Sequence, residues 1–144
     1  MNDRFKIVLG VINIILNQKG QVLLLLRKNK FDAGLYSIPG GCVEEIETVK
    51  YNAVKEIKEE TNLDVKEEDV SIISSMYRNT ASWHAVELVS VVKRFSGELK
   101  NMEPDKSEKL EWFDLDKLPD NMSLYALNAI NNFKNGTVFN EVNY

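Results

Sequence analysis

Several ingredients are scarce in this chain, and each scarcity removes a class of explanation. Cys42 is the only cysteine, which rules out an internal disulfide. His84 is the only histidine and sits in an apolar segment, where a packed histidine fits better than a general base. With no histidine evidently paired to it, Cys42 reads as a residue that lines a site and not as a nucleophile. Basic residues are outnumbered, 18 Lys and Arg against 22 Asp and Glu for a net charge of −4, so broad binding to a nucleic acid polymer or an anionic membrane is not expected. The most apolar runs, residues 7–16 and 22–26, fall short of the ~20 residues that cross a bilayer. The opening MNDRFKIVLG lacks a charged-then-apolar leader pattern, and with the lone cysteine this makes a cytoplasmic protein the expectation. No repeat, low-complexity tract or linker interrupts the 144 residues, so one domain over 1–144 is expected, with a hydrophobic content of 44% that suits an ordinary core.

What is present is concentrated between Gly40 and Leu63, GGCVEEIETVKYNAVKEIKEETNL. A Pro39-Gly40-Gly41 turn feeds a helical pattern in which Glu56, Glu59 and Glu60 stand at i, i+3 and i+4, on one side of the helix. Like charges at that spacing repel by about 0.2–0.5 kcal/mol per pair. A charge run is ordinarily a solvated helix face. As a site, the same run needs something to offset the repulsion, and a hard divalent cation with oxygen ligands, Mg²⁺ first, is the natural candidate. Bound metal would also supply the local positive charge that an anionic substrate needs on an acidic protein.

Residues 5–16 and 21–26 are rich in Val, Ile and Leu around an Asn17-Gln18-Lys19-Gly20 turn. They predict a hairpin whose second strand is covered on both faces. A polar loop over 27–34 and a short extended piece over 35–38 lead to the glycine pair. Ile46, Val49, Ala53 and Ile57 form an apolar stripe, so the spacing predicts a helix over 46–61 with a core face and a glutamate face. Residues 70–77 and 83–95 read as strands joined by Arg78-Asn79-Thr80, followed by a Ser96-Gly97-Glu98 turn. A short strand over 110–113 and a closing helix over 123–133, with Leu124, Leu127, Ile130 and Phe133 at helical spacing, complete the pattern. The tail from Asn135 is assigned no element. Strands before and after a central helix, plus a terminal helix, imply an α/β fold with a mixed sheet between helices.

The flanks of the glutamates carry a register. Counted from Gly41, five residues lead to Glu47 and seven more to Lys55, followed by Glu56, Ile57, Lys58, Glu59, Glu60, Thr61, Asn62 and Leu63. This resembles the Nudix box, G-x5-E-x7-R-E-U-x-E-E-x-G-U with U aliphatic, and departs from it at two positions, Lys55 for Arg and Asn62 for Gly. Asn tolerates the left-handed conformation that ends a helix, so Asn62 is a mild exchange. Lysine keeps the charge but loses the planar fork, so a glutamate oriented by Lys55 is held less firmly. The resemblance implies the Nudix fold and hydrolysis of a nucleoside diphosphate linked to another moiety, by water attacking phosphorus with one or more Mg²⁺ ions, Mn²⁺ being a substitute. It implies that Glu56, Glu59, Glu60 and the Gly40 carbonyl bind the metal, that one of these glutamates assists deprotonation of water, and that Glu47, Lys55 and Asn62 support them.

A second segment, Asn101-Met102-Glu103-Pro104-Asp105-Lys106 with Glu111-Trp112-Phe113 and Leu118-Pro119 after it, resembles the N-x-E-P-x-K, W-F and L-P pattern of the MutT-like Nudix branch. That branch acts on nucleoside triphosphates, which implies a monophosphate and pyrophosphate as products. Glu103 then joins the metal site, and Lys106 either meets a phosphate or is structural. The same branch implies a base pocket of Ser37, Ile38, Gly41, Leu124, Tyr125 and Leu127, with Tyr125 stacking on a base and Glu87 accepting from a base amine. The alternative is a hydrolase of the ADP-ribose type, although Arg78 and its neighbours stand where such enzymes carry a proline. A non-catalytic nucleotide-binding module would be expected to lose the glutamates, and this chain keeps them. The expected partner is a small nucleotide, and family resemblance alone suggests a homodimer.

Overall fold

The computed structural model describes residues 5–79 and 82–143; the first four residues of the opening segment and Thr80 of the expected connection lie outside the described residues. Strand β1 (Val8–Ile15) alternates with period two, sending Val11 and Ile15 to one face and Ile12 and Ile14 to the other, all buried. In β2 (Gln21–Arg27), Leu23 joins the first set and Val22 and Leu24 the second. Strands that are apolar on both faces need cover on both. Helix α1 (Val49–Thr61) covers one side with Ala53 and Ile57, and α2 (Leu124–Asn135) the other with Ala126, Ala129 and Ile130. Each fully buried Leu or Ile contributes about 1.5–3 kcal/mol. These two apolar clusters are therefore what fixes the helices to the strands.

β1 lies between β4 (Gly40–Cys42) and β6 (His84–Val92) in a five-stranded sheet of order β4-β1-β6-β5-β8, with β5 at Val70–Asn79 and β8 at Phe139–Asn143. β2 lies between β3 (Tyr36–Ser37) and β7 (Ser107–Asp114) in a three-stranded sheet. The β1–β6 and β5–β8 pairs are parallel and the others antiparallel. The fold is α/β with mixed sheet between two helices, as the element pattern implied. No helix among the described residues is long and apolar enough to cross a membrane.

Three expectations change. The predicted hairpin keeps its turn, with Gly20 N–H donating to Asn17 O at 2.9 Å, and one bridge, Leu16 to Val22. Its strands then part into different sheets, because β1 takes β4 and β6 as neighbours and β2 takes β3 and β7. The glutamate helix starts at Val49 and not at residue 46. Thr48 caps it, its hydroxyl accepting from Tyr51 N–H at 3.3 Å, while Ile46 is 96% exposed and belongs to no stripe. The tail forms β8, a strand the sequence conceals because of its residues only Val142 is buried.

The turn before α1 is fastened from below by a buried polar residue. Asn13 receives the Ser90 hydroxyl on Oδ1 at 2.6 Å, and both its backbone N–H (2.8 Å) and its Nδ2 (3.2 Å) donate to Pro39 O. Asn13→Ala strands the Ser90 hydroxyl in the core, and a loss of about 1–3 kcal/mol in urea unfolding is expected. The Asn13→Ala, Ser90→Ala double variant should lose less than the sum of the single losses.

Candidate active site

Two glycines let the chain approach itself closely where β4 meets α1. A Cβ on Gly40 would press on the Val11 carbonyl and lie 3.0 Å from Ile12 Cα; one on Gly41 would lie 2.6 Å from Glu56 Oε1 and 2.8 Å from Glu56 Cγ. With no side chain there, the Gly40 N–H donates to Glu60 Oε2 at 3.1 Å. The strand backbone thus holds one end of the glutamate cluster.

Glu47 and Lys55 form the other support. Glu47 Oε1 accepts from Glu44 N–H at 3.0 Å and from Asn52 Nδ2 at 2.9 Å, and Oε2 pairs with Lys55. The Lys55 hydrogen bond, with those from Glu44 and Asn52, lowers the Glu47 pKa to about 2, so this carboxylate stays ionised. Asn52 also donates to Cys42 O at 2.8 Å, which ties the loop to α1. Lys55 is 3.9 Å from Glu56, so its main partner is Glu47. Asn62 is left-handed at φ 67, its N–H donating to Lys58 O at 3.0 Å and its side chain to Glu98 O at 2.9 Å. Asparagine therefore ends the helix and anchors the following loop as well.

Glu56, Glu59, Glu60 and Glu103 line one cavity of about 340 Å³ together with Leu25, Arg27, Asn29, Gly40, Lys106 and Ser107. Burial, reinforced by Glu59, Glu103 and Glu47 against the opposing Lys55, pushes the Glu56 pKa up to about 7. Burial and the neighbouring Glu56 raise Glu60 well above the ordinary carboxylate range, against the Gly40 hydrogen bond. Glu103 is aimed by its own turn, with Lys106 and Ser107 N–H both on its carbonyl at 2.9 Å and Lys106 Nζ 3.2 Å from its carboxylate. Among the described residues, no three carboxylate, imidazole or thiol groups already form a closed metal-holding cluster. The donors are nonetheless all carboxylate oxygens, and two of the four groups, Glu56 and Glu60, are disfavoured as anions by burial and by neighbouring glutamates. That is the setting a hard divalent cation relieves, so the residues fit such an ion.

A second cavity of about 550 Å³ adjoins the first and shares Leu25, Arg27, Gly40 and Glu60 with it. Ile38, Gly41, Glu87 and Tyr125, all expected at a base pocket, line it. Ser37 is buried and accepts or donates one hydrogen bond to the Tyr125 hydroxyl at 2.5 Å. Leu124 and Leu127 are not brought to the cavity. They flank Tyr125 at i−1 and i+2, roughly 100° and 200° round the helix, and Leu124 is 43% exposed. Cys42 lines the cavity with its thiol pKa raised, chiefly by burial. His84 is outside both cavities, its ring bonded to the Tyr77 hydroxyl at 2.7 Å.

Sequence reasoning missed Arg27, which lines both cavities, and Arg78, Trp83 and Phe31, which line the larger. The Arg27 guanidinium is aimed by its own loop, Nε donating to Phe31 O at 3.0 Å and Nη2 to Asn29 Oδ1 at 3.1 Å. The one sequence signal is a cation closing an apolar strand, and its meaning depends on where β7 brings Glu103.

The NUDIX domain family matches residues 6–133, and the chain belongs to that family. It is 36% identical over 105 residues to the ADP-ribose pyrophosphatase of Methanocaldococcus jannaschii, covering 73% of this chain and 61% of that protein. It is 33% identical over 109 residues to the NAD-capped RNA hydrolase NudC of Pseudomonas aeruginosa, covering 74% of this chain and 36% of that one. The matches thus span less than two thirds of either relative. The crystal structure of a MutT NUDIX hydrolase from Burkholderia pseudomallei superposes with a TM-score of 0.81 at 30% identity, covering 88% of this chain and 97% of that one. Nudix hydrolases generally use divalent metals.

The two glycines differ in what an added methyl meets. Gly40→Ala runs into backbone and is expected to lower the thermal midpoint more than Gly41→Ala, whose methyl meets a side chain that can swing away. A midpoint for Gly40→Ala equal to that of the parent protein would contradict the close approach.

Proposed function

We propose that this chain is a divalent-metal-dependent pyrophosphohydrolase, a single cytoplasmic Nudix domain that converts a nucleoside triphosphate to a nucleoside monophosphate and pyrophosphate. The observation that carries the reading is the pair of adjoining cavities, one walled by Glu56, Glu59, Glu60 and Glu103 and the other by aromatic and apolar side chains, with Arg27 on both. A phosphate chain lying in the first then places its base in the second. Glu56, Glu59, Glu60, Glu103 and the Gly40 carbonyl hold Mg²⁺, or Mn²⁺ in its place. That ion supplies positive charge to the non-bridging phosphoryl oxygens.

The chain's own groups do the rest. Arg27 donates to the phosphate chain where the cavities meet. A carboxylate oxygen of Glu56, Glu59 or Glu60 accepts the proton of the attacking water. Lys55 fixes Glu47, which fixes the loop that carries Gly41. The wall of Ile38, Ile12 and Leu25 keeps bulk water off the base.

A second reading, hydrolysis of ADP-ribose, draws on the identity with the Methanocaldococcus jannaschii pyrophosphatase. A panel of triphosphates and ADP-ribose with Mg²⁺, with product analysis, separates the two. Pyrophosphate from a triphosphate supports the first, and AMP with ribose phosphate supports the second. Glu59→Gln and Glu60→Gln should each lower kcat/KM by about a hundredfold, in line with the loss of oriented metal-site groups. Rates equal to the parent's would sink the metal assignment.

The pKa of Glu56 gives a further check. It is raised from 4.5 to about 7, so its contribution to stability is full below 4.5 and is lost as pH rises through about 7. Glu47 is lowered to about 2 and contributes stability above 4.5, so it adds no slope in the neutral range. The metal-free protein should therefore melt lower at about pH 8 than at about pH 5.5, and Mg²⁺ should raise the midpoint more at the higher pH. Glu60, raised chiefly by burial as well, contributes in the same direction, so Glu56→Gln should reduce both trends without abolishing them.

A further inference from the structure

Glu47, the carboxylate of the loop that leads into α1, is gripped on both oxygens, and the two grips come from one helix. Oε2 pairs with Lys55, and Oε1 accepts from Asn52 Nδ2 at 2.9 Å. Asn52 and Lys55 stand at i and i+3 of α1, on the same face. A lysine ammonium is a compact point charge, whereas a planar guanidinium can meet both oxygens of a carboxylate at once. Here the second oxygen is met by an amide three residues earlier.

Asn52 reaches beyond Glu47. Its Nδ2 also donates to Cys42 O at 2.8 Å, so one fully buried amide group, 0% exposed, holds the loop carboxylate and the last residue of β4 together. Among the described residues its Oδ1 meets no donor, so the side chain is bonded to the loop through Nδ2 alone. Both contacts lead to Glu56. Cys42 follows Gly41, where an added Cβ would lie 2.6 Å from Glu56 Oε1, and Glu47 holds Lys55 with its Nζ 3.9 Å from the same oxygen. Glu56 itself is at i+4 from Asn52, on the face the amide occupies. Strand backbone on one side and lysine on the other thus bound the Glu56 carboxylate, and Asn52 is tied to both.

We infer that Asn52 is a positioning residue of the reaction: with Lys55 it makes up a split fork that fixes Glu47 and the Cys42 carbonyl, and through them the Glu56 carboxylate. Asn52 lines neither cavity, whereas Glu56 lines the smaller one, so the effect passes through Glu47 and β4 and not by contact with a ligand. Without the amide, Glu47 Oε1 keeps only the Glu44 N–H, and the Cys42 carbonyl loses its tie to α1. Hydrogen bonds behind ligating groups orient them, and their loss typically costs about 10–100-fold in metal affinity or activity. The inference rests on the proposed metal-dependent hydrolysis but not on which nucleotide is hydrolysed.

The test is a rescue. The parent, Asn52→Ala, Lys55→Arg and the double variant are compared in two assays. One is a Mn²⁺ titration without nucleotide, followed by the electron paramagnetic resonance signal of the free ion. The other is steady-state kinetics with Mg²⁺ on whichever of GTP, CTP, ATP, UTP or ADP-ribose the parent hydrolyses. Asn52→Ala should weaken Mn²⁺ affinity and lower kcat by about tenfold or more, while its melting midpoint falls by only about 2–4 °C, the size of one hydrogen bond in a chain this long. Lys55→Arg alone should stay within about threefold of the parent, because Oε1 is already met. In the double variant the guanidinium has room to meet both oxygens, and affinity and kcat should return to within about threefold of the parent. A merely structural asparagine would give losses that track the midpoint and that the arginine does not recover. If Asn52→Ala does not fold, Asn52→Leu, which fills the amide's space without a donor, should show the same loss. Parent-like Mn²⁺ affinity or parent-like kcat in the folded Asn52 variant, a double variant no better than Asn52→Ala, or failure of both Asn52 variants to fold overturns the inference. A parent that hydrolyses none of these substrates leaves the decision to the Mn²⁺ titration. One that also binds no Mn²⁺ fails the metal-dependent reading itself, and the inference with it.

Discussion

The close packing of β4 against both β1 and α1 is the constraint on which the site depends. Gly40 and Gly41 are the only way to bring a strand backbone onto the Val11 carbonyl on one side and the glutamate side chains on the other. From that contact follow the Gly40 hydrogen bond to Glu60, the position of Glu56, and the narrow wall shared by the two cavities. The buried Asn13 holds the Pro39 carbonyl immediately before the pair, so the turn is fixed from the core outward. A bulkier residue at either glycine would have to move one of these neighbours.

Three carboxylates of α1 and its leading loop, Glu47, Glu56 and Glu60, are of two electrostatic kinds. Glu47 is satisfied by a lysine, a backbone N–H and an amide, and its pKa falls. Glu56 and Glu60 are withdrawn from solvent beside one another, and theirs rise. Opposite shifts over one short stretch of chain show how environment sets identical side chains apart. Lys55 belongs to the first group, and lysine suffices because the pairing it makes is with a single carboxylate and needs no fork.

Much of this was readable from residue order. The register from Gly41 to Leu63 located α1, its left-handed Asn62 terminus and the Glu47 support, because those features depend on neighbours a few residues away. Periodicity also found both helices and the doubly covered β2. What escaped depends on long-range pairing. The parting of β1 from β2, the parallel strand β8 and the convergence of Arg27 on Glu103 each require a partner strand that local pattern does not name. Ile46 misled because it sits at helical spacing ahead of the Thr48 cap, and capping overrides spacing at a helix start. Arg78 escaped for a different reason: it was read as a connecting residue, and its neighbours Trp83, Glu87 and Tyr125 come from three separate parts of the chain.

The parallel alignment of β1 with β6 has a bearing on how the molecule assembles. Asn13 meets Ser90 across 77 residues of chain, and Gly10 meets Glu87 in the same ladder. Closing so long a loop costs entropy before any contact repays it, whereas α1 and its capped ends need only local contacts. The glutamate helix can therefore take shape early while the larger cavity waits for the ladder to zip. Chains interrupted between these stages would carry a formed glutamate helix beside an unformed larger cavity.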